Sequence, residues 1–148
     1  MIRKALPEDL EELCSMLQRF VSETDLPLTF DLEIARETTW HHIHSEDSIL
    51  LVYDEGVLAG AVLGVIGRDF YMEKLAYLLQ FYVEREFRGL GVSRDLLEAF
   101  NNEASKRGAK LIFASATAGM GERGEKMGTR LFERYGYKAL GRIFFKGL

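Results

Sequence analysis

The residues best placed by type and spacing to do chemistry lie near the middle of the chain. A strand-length apolar run, Lys74 to Val83 (KLAYLLQFYV), passes through Glu84-Arg85-Glu86-Phe87 into Arg88-Gly89-Leu90-Gly91-Val92-Ser93-Arg94 and then into a helical pattern. A glycine loop between a strand and a helix start is an anion-binding design. Unpaired backbone N–H groups and the positive end of the helix dipole converge there, and glycine lets an anion approach the backbone closely. Arg88 and Arg94 add charge-assisted bonds of the kind phosphate oxygens accept. Two nucleotide fingerprints do not fit. The dinucleotide-binding loop needs a third glycine where Arg94 stands, and the Walker A loop needs Gly-Lys-Ser or Gly-Lys-Thr, which the sequence lacks.

Other chemistry-bearing groups are weaker. Trp40-His41-His42-Ile43-His44 puts His41 and His44 on one helix face, but no cysteine or well-spaced carboxylate completes a metal set, and no metal is expected. The basic residues Arg123, Lys126, Arg130 and Arg134 share one helical segment. With an overall charge of -4 and no RNA-binding motif, nucleic acid is not expected there; Arg123 and the loop before it are expected to border the phosphates of an anionic ligand. The lone cysteine, Cys14, falls on an apolar helix side and reads as core.

The elements that must position these groups follow from periodicity and punctuation. Pro7, Glu8 and Asp9 precede Leu10, Leu13, Leu17 and Phe20 at helical spacing, which predicts a first helix over Pro7 to Glu23. Asp31 caps a second, running to about His44. Ser48 to Tyr53 and Val57 to Ile66 are strands joined through Asp54-Glu55-Gly56, with a further turn near Gly67 to Asp69 before the run from Lys74. Val92, Leu96, Leu97, Phe100 and Ala104 mark a helix ending near Arg107 and Gly108. Lys110 to Ala116 is a strand, and Ala118 to Gly124 a loop. Met127, Leu131 and Tyr135 define a last helix stopped by Gly136. Tyr137 to Leu148 alternates as one or two closing strands. The expected order is helix, helix, three strands, helix, strand, helix, strand or strands, an α/β domain with helices on a mixed sheet.

A chain of 148 residues, 47% hydrophobic and 28% charged, fits one folded domain over residues 1–148. No membrane-spanning stretch or signal-peptide run is present in the sequence, so a cytoplasmic location and no membrane partner are expected. The charge is uneven, about -10 over residues 1–100 and +6 over 101–148, a field able to steer ligands of opposite sign to opposite sides.

These motifs resemble the GCN5-related N-acetyltransferase (GNAT) family. Its pyrophosphate loop reads Gln or Arg, two residues, Gly, one residue, Gly or Ala. Arg88, Gly91 and Ser93 stand at its defined positions, with Ser93 a departure whose hydroxyl can itself bond phosphate or cap the helix. Val83 sits where the family's fourth strand ends, and Leu131-Phe132-Glu133-Arg134-Tyr135-Gly136-Tyr137 looks like its later helix-end motif.

The resemblance implies a GNAT fold with a central mixed, mostly antiparallel sheet splayed between strands four and five and flanked by helices. It implies acetyl-CoA as co-substrate, held by Phe81, Tyr82, Val83, Arg88, Gly89, Leu90, Gly91, Val92, Ser93, Arg94 and Phe132. The implied reaction is N-acetyl transfer by direct attack of an amine in a ternary complex. Backbone groups of Phe81 and Val83 would pair with the pantetheine arm, the Val83 N–H serving as oxyanion donor. By strand parity Glu73 and Tyr77 share the face of Val83 and are candidates to touch the acceptor, Glu73 as base. The family's usual proton-donating tyrosine is Phe132 here, which leaves Tyr135 or Ser115 as candidate donors, and Glu125 replaces a frequent asparagine.

The acceptor is expected to be cationic, a polyamine, an aminoglycoside or a protein lysine or N-terminus, because residues 1–48 carry eleven acidic against four basic side chains. A homodimer through C-terminal edge strands is a further expectation. The alternative is a catalytically inactive acyl-CoA-binding sensor or interaction module of the same fold, to which the missing tyrosine points.

Overall fold

In the computed structural model, which describes residues 1–115 and 121–148, Pro7 opens a single 3-10 turn, Pro7–Asp9, that runs straight into helix α1, Leu10–Ser22. Proline is accommodated because the first turn's N–H groups have no partner inside a helix. The Asp9 carboxylate is buried. It accepts the Leu6 N–H at 2.7 Å and makes a two-pronged pair with the Arg3 guanidinium at 2.7 and 2.8 Å. Arg3 belongs to a strand that the sequence reading missed, β1, Ile2–Lys4. Three residues are too few to show alternation, and pairing alone makes them a strand.

Helix α2, Leu32–His44, starts as expected, with the Asp31 carboxylate accepting the Ile34 N–H at 2.9 Å. Strands β2, Ser48–Asp54, β3, Leu58–Gly67, and β4, Lys74–Val83, follow, then helix α3, Val92–Lys106, β5, Ala109–Ala114, and α4, Gly121–Arg134. The sheet order is β1-β2-β3-β4-β5. All neighbours are antiparallel except β4 and β5, whose parallel pairing follows from the α3 crossover between them. This is the mixed, mostly antiparallel sheet expected.

Helices cover both faces. Val92, Leu96, Leu97, Phe100 and Ala104 of α3 pack with Ile49, Val62, Ala76, Leu78 and Val83. Leu13, Met16 and Ile43 of α1 and α2 pack on the other face with Leu50, Val52, Leu58 and Tyr82. Cys14 is buried as read, and burial raises its thiol above the ordinary value.

The pairing of β3 with β4 shifts where Leu63 faces Gln80 and Gly64 faces Leu78, leaving Leu79 as an extra residue in β4. A bulge of this kind reverses side-chain parity along the strand. Val83, Phe81, Leu78 and Ala76 therefore lie on the α3 face, and Tyr82, Gln80 and Tyr77 on the α1–α2 face. The expectation that Tyr77 shares the face of Val83 is thus corrected: a single inserted residue puts it opposite, while Glu73 lies in the bend before β4, where strand parity does not apply.

Two further expectations change. The last helix begins at Gly121, so Gly121 to Gly124 are helical; Ala118 to Met120, also read as loop, lie outside the described residues, as does Ala116 at the end of the strand read from Lys110. Tyr137 to Leu148 forms no strand. Tyr137 docks into the core and donates its hydroxyl to Asn101 Oδ1 at 2.5 Å, whereas Leu140, Ile143, Phe144 and Phe145 are exposed. Ile-Phe-Phe in succession breaks the two-residue period a half-buried strand needs.

Candidate active site

The β4–β5 ladder runs from Lys74 opposite Ala109 to Leu78 opposite Ala114, where β5 ends. β4 continues for five more residues to Val83, and no described strand covers that edge. The direction of its backbone groups follows from its inner side. Glu84 N–H donates to Ala59 C=O at 2.9 Å, and the Tyr82 carbonyl is turned toward Gly60 of β3. Because strand groups alternate, Phe81 and Val83 turn their N–H and C=O outward, into the gap beyond β5. Phe81 and Val83, the two positions expected to offer backbone groups, are thus outward-facing on the part of β4 that no described strand covers. Tyr82, grouped with them from the sequence, turns both backbone and ring away from the gap; its ring is buried on the opposite face.

At the end of β4 the chain makes a 3-10 turn, Arg85–Phe87, and then passes through Gly89 at φ +81° and Gly91 at φ +90° into α3. Both glycines hold a left-handed conformation that side chains disfavour. Among the described residues no protein acceptor meets the N–H groups of Gly89, Gly91, Val92, Ser93 or Arg94. Five free amides at the positive end of a fifteen-residue helix suit a diphosphate, so the loop fits the group that the sequence motif implies. Val92 is buried beneath the loop as its anchor, Ser93 is half-buried, and Leu90 is exposed.

The two arginines are less free than their sequence suggests. Arg88 Nε donates to the Val83 carbonyl at 2.8 Å, its other nitrogen pairs with Glu23 at 2.8 Å, and the guanidinium lies 5.3 Å over the Tyr82 ring. Arg94 is paired with Asp95 at 2.7 Å; Asp95 is the main influence holding it protonated, with smaller contributions from Tyr135 and Glu98. Glu23, at the end of α1, is the residue that sequence reading overlooked. It accepts from Tyr82 at 2.9 Å, Arg85 at 3.0 Å and Arg88, partners 59 to 65 positions away, a separation that leaves no local signal.

Burial works against ionisation of Glu23, yet the donors Arg88, Tyr82 and Arg85 outweigh it and hold its carboxyl below the usual range. The Arg3 bond does the same for Asp9, against desolvation. A carboxylate with a depressed folded value contributes stability above its unfolded value and loses it as pH falls through the folded one. The thermal midpoint should therefore stay level from pH 7 to about pH 4.5 and fall below about pH 4. Glu23→Gln should lower the midpoint at pH 7 and flatten the acid limb; an unchanged acid limb would show that Glu23 is not a linked group.

The remaining candidates separate clearly. Tyr77, opposite Phe113 on β5, stacks on that ring with centroids 5.5 Å apart and planes 18° apart, and its hydroxyl donates to Asp69. Ser115 follows Ala114 directly, at the point where the ladder ends. Glu73 is exposed and stands five residues before Leu78, a distance of roughly 16 Å at about 3.3 Å per residue. Phe132 is buried in the α3 core against Tyr137, and Tyr135 packs on the same cluster at the end of α4, on the Arg94 side. His42 Nδ1 meets Ser48 Oγ and His44 Nδ1 meets the Trp40 carbonyl, both at 2.8 Å, and no described group of three ligands gathers around a metal position. Four of the eleven acidic side chains of residues 1–48 are paired with arginines: Asp9 with Arg3, Glu11 and Glu33 with Arg36, and Glu23 as above.

The family model for the acetyltransferase (GNAT) family matches residues 10–137. The chain belongs to the GNAT family. That span contains the whole of the gap, the glycine loop and both flanking helices. Solved structures similar to this GNAT chain agree in fold. One, described as a predicted acetyltransferase from Clostridium acetobutylicum with acetyl-CoA, has a TM-score of 0.78 at 16% identity and covers 99% of this chain and 95% of its own. AAC(6')-Iy, in complex with a bisubstrate analog, CoA-S-monomethyl-acetylneamine, gives 0.79 at 16% identity over 100% and 97%. The ribosomal-protein-alanine N-acetyltransferase of Brucella melitensis gives 0.73 at 17% identity over 100% and 99%. Among curated proteins no sequence matches this GNAT chain.

Proposed function

We propose that this GNAT domain transfers an acetyl group from acetyl-CoA to a primary amine. The observation that carries the reading is the combination, among the described residues, of five acceptor-free amides at the start of α3 with a strand edge uncovered beyond Leu78. Neighbours of the same fold were solved with acetyl-CoA or a CoA-linked analog, which supports the same co-substrate here. Acetyl-CoA supplies an activated acyl carbon on a thiol leaving group.

The amides of Gly89, Gly91, Val92, Ser93 and Arg94 hold the diphosphate, with Arg94 at its rim. The outward backbone groups of Phe81 and Val83 pair with the pantetheine arm as a neighbouring strand would. Arg88 occupies the Val83 carbonyl and fixes that end of β4, so Val83 offers its N–H and Phe81 offers both groups. Whichever of these two N–H groups lies nearer the thioester stabilises its oxygen as charge develops. The acceptor nitrogen forms the new C–N bond as the C–S bond breaks. The nitrogen's surplus proton passes to water, and the departing sulfur takes a proton from a donor near the end of β5. Ser115 is the candidate at that end; Phe132 has no proton to give.

Steady release of free CoA, read with a thiol reagent in the presence of an amine panel, tests the reading. Ser115→Ala should lower kcat by about a hundredfold while acetyl-CoA binding is retained; an unchanged kcat removes Ser115 from the mechanism. One observation favours a second reading. With Phe132 packed in the core where the family carries a tyrosine, the domain would bind acyl-CoA without turnover and act as a sensor. Tight acetyl-CoA binding with no CoA release across the panel would establish that alternative.

A further inference from the structure

The last two residue pairs of the β4–β5 ladder are Tyr77 opposite Phe113 and Leu78 opposite Ala114, after which the gap opens. The Tyr77–Phe113 stack therefore stands at the inner end of the gap, on the face that carries α1 and α2. Neither ring belongs to the core clusters, and both are half-buried. Phe113 lies on the outermost strand of the described sheet, and one face of its ring stacks on Tyr77.

Above the stack sits Asp69. It is the one non-glycine residue with a positive φ, +49°, among the described residues. Aspartate tolerates this conformation better than most side chains, and the turn it makes aims its carboxylate at the Tyr77 hydroxyl. Only Oδ2 takes that hydrogen bond, and a carboxylate has acceptor capacity for more. Around this group the turn displays Phe70, Tyr71 and Met72, which are 100%, 61% and 87% exposed.

We propose that Asp69, Tyr77 and Phe113 form the acceptor seat, and that it takes a primary amine carrying an aromatic or other apolar body. The proposal rests on the transfer reading for its catalytic meaning and deepens it by naming the acceptor class. Asp69 binds the ammonium through the oxygen Tyr77 leaves free, and the Tyr77 hydroxyl keeps the carboxylate from turning away. The apolar body lies on Phe113 and against the exposed turn, where burying apolar surface is favourable. A polyhydroxylated acceptor would surrender its water here to rings that return no hydrogen bonds. A polyamine has no apolar body to lay on Phe113 and so gains none of that burial. Of the acidic side chains on and next to α1 and α2, Glu11, Glu23 and Glu33 are already paired with arginines.

Binding separates the seat from the chemistry. Calorimetric titration of 2-phenylethylamine and of spermidine into the protein saturated with CoA should show 2-phenylethylamine binding the more tightly. Phe113→Ala should weaken 2-phenylethylamine about fivefold and leave spermidine unchanged. Asp69→Asn should weaken it about tenfold. Both variants should keep the stabilisation that acetyl-CoA gives the parent, which shows them folded. If Phe113→Ala fails to fold, Phe113→Leu carries the same expectation with little loss of volume. Tighter binding of spermidine, no binding of either amine, or equal affinities in parent and variants would overturn the seat. Binding as expected with no CoA released with any amine would leave the seat standing and remove the transferase reading instead.

Discussion

Gly91→Glu is expected to lose nearly all of the stabilisation that acetyl-CoA gives the parent protein. At a ligand concentration of about 100 times Kd, the parent should gain roughly 2.7 kcal/mol, a rise of several degrees in midpoint. Three effects remove it in the variant. The site is built from backbone amides whose approach depends on the left-handed φ of +90° at this position, which disfavours any side chain by about 1–2 kcal/mol. A Cβ there would stand 3.3 Å from a terminal nitrogen of Arg94, tighter than most contacts. The new carboxylate would then sit where the free amides await phosphate. Because strain also lowers the unliganded midpoint, the quantity to compare is the ligand-induced shift. Retention of that shift in the variant would place the diphosphate elsewhere and take the central proposal with it.

The largest effect on folding is expected at Gly64. A Cβ at this position would fall 2.4 Å from two ring atoms of Phe100 and 2.6 Å from the Tyr77 carbonyl. Phe100 is fully buried among α3 and the sheet, so it has no room to withdraw. Gly64→Ala should therefore destabilise by about 3 kcal/mol, at the upper end for overpacking. Urea unfolding should show a lower midpoint with an unchanged slope. Adding Phe100→Leu should recover part of the loss, a coupling that a double-mutant cycle measures. A cost below about 0.5 kcal/mol would contradict the β3–β4 register around Leu79, because that register is what brings Gly64 under the ring. The same position touches function, since Tyr77 carries the stack at the inner end of the gap.

The acceptor illustrates how pairing in space changes a reading of charge. Counted along the chain, the acidic excess of residues 1–48 points to a polycationic partner. In the folded protein, Arg3, Arg36, Arg85 and Arg88 meet Asp9, Glu11, Glu33 and Glu23, and two of those arginines come from beyond residue 84. Glu23 alone among these carboxylates is met by arginines from outside the segment, so the field beside it is weaker than the segment's count suggests.

The sequence by itself determined the elements whose causes are local. Asp31 caps α2 because a carboxylate three residues before an N–H reaches it without help, β4 spans Lys74–Val83 because a run with eight apolar residues in ten favours a buried strand, and the loop glycines signal left-handed turns ahead of a helix. The proposed anion site was legible for the same reason: its donors are backbone amides within one six-residue stretch, Gly89 to Arg94. What only the tertiary structure decided depends on register and on distant partners. The single extra residue at Leu79 reversed the side of the sheet on which Tyr77 lies, β1 exists only through its pairing with β2, and Glu23 acquires three partners from the far end of β4. A bulge and a long-range ion pair are fixed by how whole strands and helices pack, and no window of sequence contains both sides of that contact.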